Sequence, residues 1–293
     1  MSRRGWFLFV SLGIIWGLPY LFIKVAVEHL EPPIIVFLRV VLGATLLLPI
    51  AIRRGALRPV RPVLGWTIVF ALVEVTGPWV LLSFAETRVS SSFAALMISA
   101  VPLVGAVLAH QMQLDDRLHG TRVLGLAMGV AGVAALVGLD VQTGGTIAVV
   151  ALVVTAIGYA LGPIIIATKL QDVPAIGVIT TTFIFNTIVY LPVAILRWPT
   201  GPVPTSAWVS VAVLGVVATA IAFLIFFALI AEVGPTRMTV ITYINPAVAV
   251  ALGVLLLDEP FTLGIRVGFP LVLLGSFLAT RKAPPMEDEP VPA

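Results

Sequence analysis

The hydrophobic pattern of the chain consists of ten long apolar stretches separated by short polar segments. A membrane-spanning helix needs about 20 mostly apolar residues, each adding about 1.5 Å of rise. Because strand-like alternation is absent, backbone groups must be satisfied within helices rather than in a closed barrel. The pattern predicts an all-α integral membrane protein with ten transmembrane helices. They are expected at 6–27, 33–52, 63–85, 90–110, 120–138, 145–167, 175–196, 206–230, 236–256 and 263–280.

Composition agrees with this pattern. Hydrophobic residues make up 60% of the 293-residue chain and charged residues 11%, so lipid must cover most of the surface. Arg3 and Arg4 precede the first apolar stretch, as in a signal peptide, but no small-residue cleavage pattern follows. We interpret the first stretch as a retained helix. The absence of cysteine excludes disulfides and thiolate metal sites.

Basic residues are distributed unequally between the two sides of the membrane. With a cytoplasmic N-terminus, 12 basic residues face the cytoplasm and 4 face outside, and such an imbalance sets orientation. The outer residues are Lys24, Arg88, Arg197 and Arg266; the inner ones are Arg3, Arg4, Arg53, Arg54, Arg58, Arg61, Arg117, Arg122, Lys169, Arg237, Arg281 and Lys282. Both termini are predicted to be cytoplasmic, in an inner or plasma membrane. The dispersed charges argue against nucleic-acid binding.

The two halves of the chain repeat each other. A shift of 144 positions pairs Val89 with Val233, Pro102 with Pro246, Val104 with Val248, Leu108 with Leu252, Gly120 with Gly264, Arg122 with Arg266, Val123 with Val267 and Pro19 with Pro163. Residues 1–138 and 145–282 are predicted to be five-helix repeats, and 283–293 a disordered cytoplasmic tail. Because five is odd, the second repeat enters the membrane inverted. Inverted repeats favour alternating access, with a solute site near the midplane, although a duplicated membrane scaffold is the alternative.

The closing segments of the two repeats carry a resemblance to a known family. Each has a mid-helix proline, Pro102 or Pro246, then an acidic turn, Asp115-Asp116 or Asp258-Glu259-Pro260, and then a glycine-rich fifth helix. Together with Trp16-Gly17, Lys24 and Phe37-Leu38-Arg39, this pattern resembles the EamA branch of the drug/metabolite transporter superfamily over residues 6–280. The resemblance implies a ten-helix bundle around a central cavity that exports small metabolites or amino acids, as in YddG-like exporters. It does not identify the solute.

Two charged residues lie inside predicted helices. Glu74 is deep in the third stretch among apolar neighbours, where a carboxylate costs several kcal/mol unless it is paired or protonated. Arg39 is its expected partner, since they lie roughly 16 and 10 Å below the outer face. An Arg39–Glu74 pair would be a proton-coupled gate, a site for the ammonium and carboxylate of a zwitterionic solute, or a structural ion pair.

Two prolines and several polar side chains lie at similar depth. Pro102 and Pro246 each remove one backbone hydrogen bond, so they are candidate hinges or carbonyl sites for solute, or else static kinks. Nearby polar side chains are candidate solute contacts: Ser99 in the first repeat, and Thr242, Tyr243 and Asn245 in the second.

The remaining candidates each have a structural alternative. Trp16 and Asn186, both near mid-depth, would hold a planar or cationic group, or serve helix packing and an interhelical hydrogen bond. Lys24 is a candidate gate residue or a side chain that snorkels to water. Trp79 and Tyr190 are predicted to be interfacial anchors.

Capping and close packing are expected in the two closing segments. The acidic and basic residues Asp115, Glu259, Arg122 and Arg266 are interpreted as helix caps or local salt bridges. The motifs Gly125-x-x-x-Gly129 and Gly264-x-x-x-Gly268, with Gly132, permit close contact within a monomer or in a homodimer.

A secondary carrier is the function that these features favour, with proton coupling as one option. An intramembrane enzyme would need a nucleophile and base or clustered metal ligands, and no HExxH or GxSxG motif accompanies His29, His110 and His119. No cofactor, metal site or phosphate-binding loop is predicted. A passive channel remains the main alternative, without visible selectivity rings. The expected partners are a small-molecule solute and the lipid bilayer.

Overall fold

The structure of the chain is a computed structural model that describes residues 2–113, 120–140, 145–233 and 241–280. The side chains of Val233, Thr242 and Tyr243 are not described. The described residues fold into ten helices. Eight helices in these ranges are long and apolar enough to span a membrane, and the last two are shorter. The predicted all-α fold is confirmed, and the tail at 283–293 lies outside the described residues. The helices are α1 (Arg3–Val27), α2 (Pro32–Arg53), α3 (Arg58–Glu86), α4 (Ser91–Gln111), α5 (Gly120–Asp140), α6 (Thr146–Lys169), α7 (Ala175–Leu196), α8 (Thr205–Glu232), α9 (Ile241–Leu256) and α10 (Leu263–Ala279).

Helices of the two repeats are interleaved rather than side by side. Helix α1 packs on α8 and α9, α2 packs on α7 and α8, and α7 packs on α3, so these contacts cross between repeats. Helix α6, the first of the second repeat, packs in turn on α3 and α4. Because successive crossings alternate, α1 and α6 run in opposite directions, and the second repeat is inverted. We call the side where α1 begins the N-terminal side, and the other the opposite side.

The third helix of each repeat contains a π-helical segment. These segments are Leu72–Thr76 in α3 and Val213–Ile221 in α8, and the shift of 144 places the first within the second. The Gly77 N–H donates to the Leu72 carbonyl, five residues earlier. The hydroxyls of Thr76 and Thr219 likewise donate to carbonyls five residues back, over 3.0 and 2.8 Å. Such segments leave backbone groups in need of other partners and are frequent at functional sites.

Helix α4 breaks at the predicted proline kink. Regular helix runs over Ser91–Ile98 and again over Val101–Gln111, and the Leu103 N–H donates to Ala100 rather than to Ser99. The Ser99 carbonyl that this shift frees accepts a hydrogen bond from the Ser276 hydroxyl of α10, over 3.2 Å. Pro246, its equivalent in the second repeat, lies inside the helix Ile241–Leu256. Only the first proline therefore coincides with a break in the described helices.

Helices α5 and α10 are held together by facing glycines. A Cβ atom at Gly125 would overlap the backbone of Ala279 and Gly275, and one at Gly268 would overlap Leu136. A Cβ at Gly132 would come within 2.8 Å of the Val272 backbone nitrogen. The glycine motifs are therefore used within one chain, and backbones approach closely because no side chain separates them.

Glycine-to-alanine substitutions on α5 should show which glycines are needed for close contact with α10 and which are not. Gly125→Ala is expected to lower the free energy of unfolding by about 1–3 kcal/mol, because the backbone atoms it meets cannot move aside. Gly138→Ala is the matched control, since a Cβ there meets nothing within 4 Å. Thermal unfolding of the detergent-solubilised variants measures the difference. Equal melting temperatures for the two variants would show that the α5–α10 contact is not close-packed.

Candidate solute and coupling site

Helix α7 holds the π segment of α3 through two polar side chains. The single O–H of Thr76 is shared between the Ala71 carbonyl and the Asn186 side-chain oxygen, which lie 3.0 and 2.7 Å away. The Asn186 amide donates to the Thr182 carbonyl over 2.9 Å. The Tyr190 hydroxyl donates to the Thr76 carbonyl. Asn186 is fully buried, so it serves here as an interhelical hydrogen bond. The prediction that Tyr190 anchors the membrane interface is wrong, because the side chain is buried against α3.

Helix α2 holds the π segment of α8 in a corresponding way. The Arg39 Nε donates to the Thr219 hydroxyl over 2.8 Å, and the guanidinium carbon lies 3.6 Å from the centre of the Trp79 ring. Stacking on an indole and one hydrogen bond together fix the plane of the guanidinium. Trp79 is buried, so the prediction that it is an interfacial anchor is also wrong. In each repeat, the second helix thus contacts the π segment of the other.

Arg39 and Glu74 do not form the predicted ion pair. Both residues are described, and no Arg39 nitrogen lies within 4.0 Å of a Glu74 oxygen, because Arg39 is held by Trp79 and Thr219. Glu74 is partly exposed, yet its Oε2 is buried and has no hydrogen-bond partner among the described residues. A Cβ at Gly162 of α6 would overlap that oxygen. Within the described ranges, Glu74 is therefore a carboxyl group without a cationic partner in the middle of a membrane helix.

Two tyrosines join these charged residues into one group. Tyr20 of α1 and Tyr159 of α6 lie within electrostatic range of each other, of Arg39 and of the buried Glu86, and Tyr159 also lies within range of Glu74. We call Tyr20, Arg39, Glu74, Trp79, Tyr159 and Thr219 the central cluster. Neither tyrosine was identified from the sequence. The available signal was that both hydroxyls lie inside apolar helices, away from the membrane boundaries where tyrosine is usual.

Trp16 belongs to an aromatic layer that adjoins the central cluster. Its ring lies 5.2 Å from Phe226 and 6.1 Å from Phe223 of α8. Phe223 contacts Phe183 at 5.7 Å, and Phe183 contacts Trp79 at 5.8 Å. These rings extend from α1 to α3 across both repeats. They give the central cluster an apolar neighbour of low dielectric constant, in which polar interactions are stronger.

A clamp on the opposite side joins the repeats above the central cluster. Glu259 lies in the loop between α9 and α10, and its carboxylate accepts from the Ser91 N–H over 2.7 Å, the Ser92 N–H over 3.0 Å and the Ser92 hydroxyl over 2.6 Å. Glu259 therefore caps α4 of the other repeat, where the helix dipole favours negative charge. The expected capping role of Glu259 is met. Its repeat equivalent, Asp115, lies outside the described residues.

Lys24 is the second part of this clamp. Its Nζ donates to the carbonyls of Glu86 and Val89 over 2.7 and 2.8 Å, at the end of α3. The Glu86 side chain is fully buried, and neither of its oxygens has a hydrogen-bond partner in the described part of the chain. Lys24 thus caps the C-terminal end of α3 rather than snorkelling freely to water.

The other predicted contact residues lie apart from the central cluster. The Ser99 hydroxyl donates to the Leu96 carbonyl over 2.6 Å in its own helix. In the amide orientation that satisfies both atoms, the Asn245 nitrogen donates to Gly13 of α1 over 2.9 Å and to Ile241 over 3.1 Å. Asn245 therefore links α9 to α1. The side chains of Thr242 and Tyr243 lie outside the described residues.

Removing the charge of Glu259 should weaken the clamp. In Glu259→Gln, the new amide nitrogen would face at least one of the N–H or O–H groups that now donate to the carboxylate, and that group would lose its acceptor. The free energy of unfolding should therefore fall by about 1–3 kcal/mol. Glu31→Gln is the control, because Glu31 is exposed and pairs with Arg197 at 3.7 Å, and it should change stability by less than about 0.5 kcal/mol. Thermal unfolding in detergent compares them. An unchanged melting temperature for Glu259→Gln would contradict the capping role.

Comparison with known proteins agrees with this architecture. The profile of the EamA-like transporter family matches residues 3–138 and 146–281. The chain is 26% identical to the uncharacterized inner membrane transporter YedA of Escherichia coli K12, covering 95% of this chain and 94% of that protein. It is 21% identical to the uncharacterized transporter YoaV of Bacillus subtilis 168, covering 92% and 94%. A solved crystal structure at 20% identity shares the fold with a TM-score of 0.67, covering 96% of this chain and 97% of its own.

The family match includes nearly every described residue and both five-helix halves. The two matched segments correspond to the two five-helix halves of the chain. The chain therefore belongs to the EamA-like transporter family, and it is an integral membrane transporter rather than an enzyme.

Proposed function

We propose that this transporter is a secondary carrier that exports small organic metabolites, such as amino acids or related solutes, by alternating access. In this proposal the solute site lies in a central cavity at the central cluster. The N-terminal side is the cytoplasmic side, and both termini are cytoplasmic. Glu74 is the group that couples transport to a proton or contacts the solute.

Glu74 is the observation that carries the proposal. It lies in the π segment of α3, between the two repeats, and its buried Oε2 has no hydrogen-bond partner among the described residues. An unpaired carboxyl inside a membrane is costly, and such groups usually mark a solute or proton pathway. A purely structural role would require a partner, and the expected partner Arg39 is engaged elsewhere.

The crossed contacts of the repeats support alternating access. Arg39 of the first repeat holds the π segment of the second, and Asn186 of the second holds that of the first. In carriers with inverted repeats, the two halves exchange conformations around a central site, so the same contacts serve both arrangements. The clamp of Lys24 and Glu259 closes the opposite side above that site. Release of solute to the outside then requires the clamp to open.

Transport assays with a single carboxyl variant test the function. Proteoliposomes preloaded with a panel of amino acids and metabolites should show saturable counterflow of one solute class, because a carrier reorients with bound solute. Glu74→Gln should abolish the pH dependence of transport, since an amide cannot exchange a proton. Glu28→Gln, a change at an exposed carboxylate, is the control and should behave like wild type.

Three results would contradict parts of this proposal. Flux that rises linearly with concentration and shows no counterflow would indicate a channel. Folded wild-type protein that exchanges no solute of a broad panel would count against export of small metabolites. Wild-type rate and pH dependence in Glu74→Gln would remove Glu74 from coupling.

The absence of native cysteine allows a direct test of orientation. Thr87→Cys lies at the end of α3 on the opposite side, and Arg54→Cys lies at the end of α2 on the N-terminal side. Both residues are exposed. A membrane-impermeant maleimide should label Thr87→Cys in intact cells and Arg54→Cys only after permeabilisation, because basic residues concentrate on the cytoplasmic side. The reverse pattern would show that the N-terminus is outside.

A further inference from the structure

Helices α2 and α8 cross closely at mid-length and diverge toward the N-terminal side. A Cβ atom at Gly215 of α8 would lie 2.6 Å from the Cβ of Leu42. One at Gly43 of α2 would lie 2.9 Å from the Thr219 side chain. Beyond this crossing, α2 makes few contacts with Ala222–Val233, the last part of α8. The divergence leaves a groove of about 450 Å³ between the two helices.

This groove is apolar except at one end, and we call it the Arg54 groove. Its lining consists of Ile50 and Arg54 of α2 and Leu224, Phe227, Ala228 and Ala231 of α8. Each set follows the spacing of one helix face, so one stripe of each helix forms a wall. Arg54 contributes the polar group of this lining, and the apolar walls match hydrocarbon chains. The chemistry is that of a site for a molecule with an anionic end and a long apolar part.

Arg54 lies at the depth where lipid head groups lie. Helix α2 has 22 residues, which at about 1.5 Å each span about 33 Å, and the hydrocarbon core of a bilayer is about 30 Å thick. Arg54 is the C-cap of α2 and therefore lies at the membrane boundary, whereas Ile50 lies one turn inside. A phospholipid whose acyl chain fills the apolar part of the groove would place its phosphate beside the guanidinium.

The guanidinium of Arg54 is exposed and has no anionic partner in the described part of the chain. The ion pairs found there join Arg4 to Glu232 and Arg197 to Glu31. Basic residues outnumber acidic ones among the described residues at the N-terminal side, where Arg3, Arg4, Arg53, Arg54, Arg58, Arg61, Arg122 and Lys169 lie with Asp172 and Glu232. This end of the molecule thus attracts anions, and a planar guanidinium donates two parallel hydrogen bonds to a phosphate.

The second repeat has a corresponding groove on the opposite side. This groove, of about 390 Å³, is lined in part by Ala194 and Trp198 of α7. The shift of 144 pairs these residues with Ile50 and Arg54. The fold therefore places a groove at this point in each repeat, and within the described residues only the one on the N-terminal side has a cation in its lining.

We propose that the Arg54 groove binds one anionic phospholipid, with an acyl chain between α2 and α8 and the phosphate on Arg54. Basic pockets between membrane helices bind anionic head groups in this way. Phosphatidylglycerol carries one net negative charge, whereas the choline ammonium of phosphatidylcholine is repelled by the guanidinium. Because the groove exists only while α2 and α8 diverge, the bound lipid stabilises this arrangement of the two repeats. The inference goes beyond the proposed transport function and does not depend on the solute.

Lipid titration of the purified full-length protein tests the site. Thermal unfolding is measured in detergent micelles with increasing dioleoyl-phosphatidylglycerol or dioleoyl-phosphatidylcholine. Phosphatidylglycerol should stabilise the wild type at concentrations about 10-fold or more below those of phosphatidylcholine, as expected for hydrogen bonds to a charged group. Arg54→Gln should lose this difference. Arg53→Gln is the matched control and should keep it, because Arg53 is the adjacent exposed arginine and does not line the groove.

Two further measurements separate a lipid from a free phosphate and the groove from the rest of the surface. Glycerol 3-phosphate has the phosphate without acyl chains and should not stabilise the protein at the concentrations where phosphatidylglycerol does. Ala228→Leu fills part of the groove and should weaken stabilisation by phosphatidylglycerol. Ala131→Leu, at an exposed position of α5 outside the groove, is its control and should behave like wild type.

Three results would overturn the lipid site. Equal stabilisation of the wild type by the two lipids would show that the head group is not recognised. Equal losses in Arg53→Gln and Arg54→Gln would indicate diffuse attraction to surface charge. Stabilisation by glycerol 3-phosphate at the concentrations of phosphatidylglycerol would indicate a site for soluble phosphates. A failure of counterflow would refute the carrier and leave this site intact, since lipid binding is measured without transport.

Discussion

Backbone hydrogen bonding inside lipid is the constraint on which the rest of this structure depends. No water is present in the bilayer core to satisfy a free N–H or carbonyl, so every departure from regular helix must be repaired by the protein. Apart from the 3-10 turn Arg58–Val63 that begins α3, the described residues depart from regular helix in three places: the π segments of α3 and α8, and the break in α4. A side chain from the other repeat contacts each of them. Asn186 and Tyr190 serve the first, Arg39 the second and Ser276 the third.

This mode of repair connects local irregularity to the arrangement of the whole molecule. A π segment in one repeat is stable where it is because a polar side chain in the other repeat lies opposite, so neither repeat is complete alone. Close approach of backbones has the same consequence, since Gly162 makes room for Glu74 and Gly158 for the Val73 carbonyl of α3. The irregular places thus coincide with the interface between repeats, which is where a carrier of this architecture needs its movable contacts.

The interface between the repeats determines which groups Arg39 and Glu74 contact. Arg39 is held by stacking and one hydrogen bond rather than by a carboxylate, which leaves its charge available for a ligand. Glu74 has no partner for its carboxyl group in the described part of the chain, which leaves it available for a proton or a cationic group. A direct ion pair would have neutralised both, so their separation is itself the basis of the proposed function. Trp79 contributes to this separation, because its ring covers the face of the Arg39 guanidinium that would otherwise be exposed.

Much of the fold follows from the sequence alone, because lipid imposes a simple rule on length and composition. Ten apolar stretches of spanning length, a repeat at 144 positions and an odd number of helices in each half were enough to predict an inverted ten-helix bundle, and short motifs in the closing segments and the first two helices carried the resemblance to the family. A capping role for Glu259 was expected, but the helix that it caps is α4 of the other repeat, and nothing in the sequence indicated that partner. What the sequence did not show is which residues lie opposite one another. The π segments, the separation of Arg39 from Glu74, and the burial of Trp79 and Tyr190 depend on how α2 and α7 cross the other repeat. Tyr20 and Tyr159 lie about 140 positions apart and come together only because the repeats interleave. Periodicity reports which side of a helix is apolar, but in a membrane both buried and lipid-facing sides are apolar, so only the tertiary structure decides the contacts.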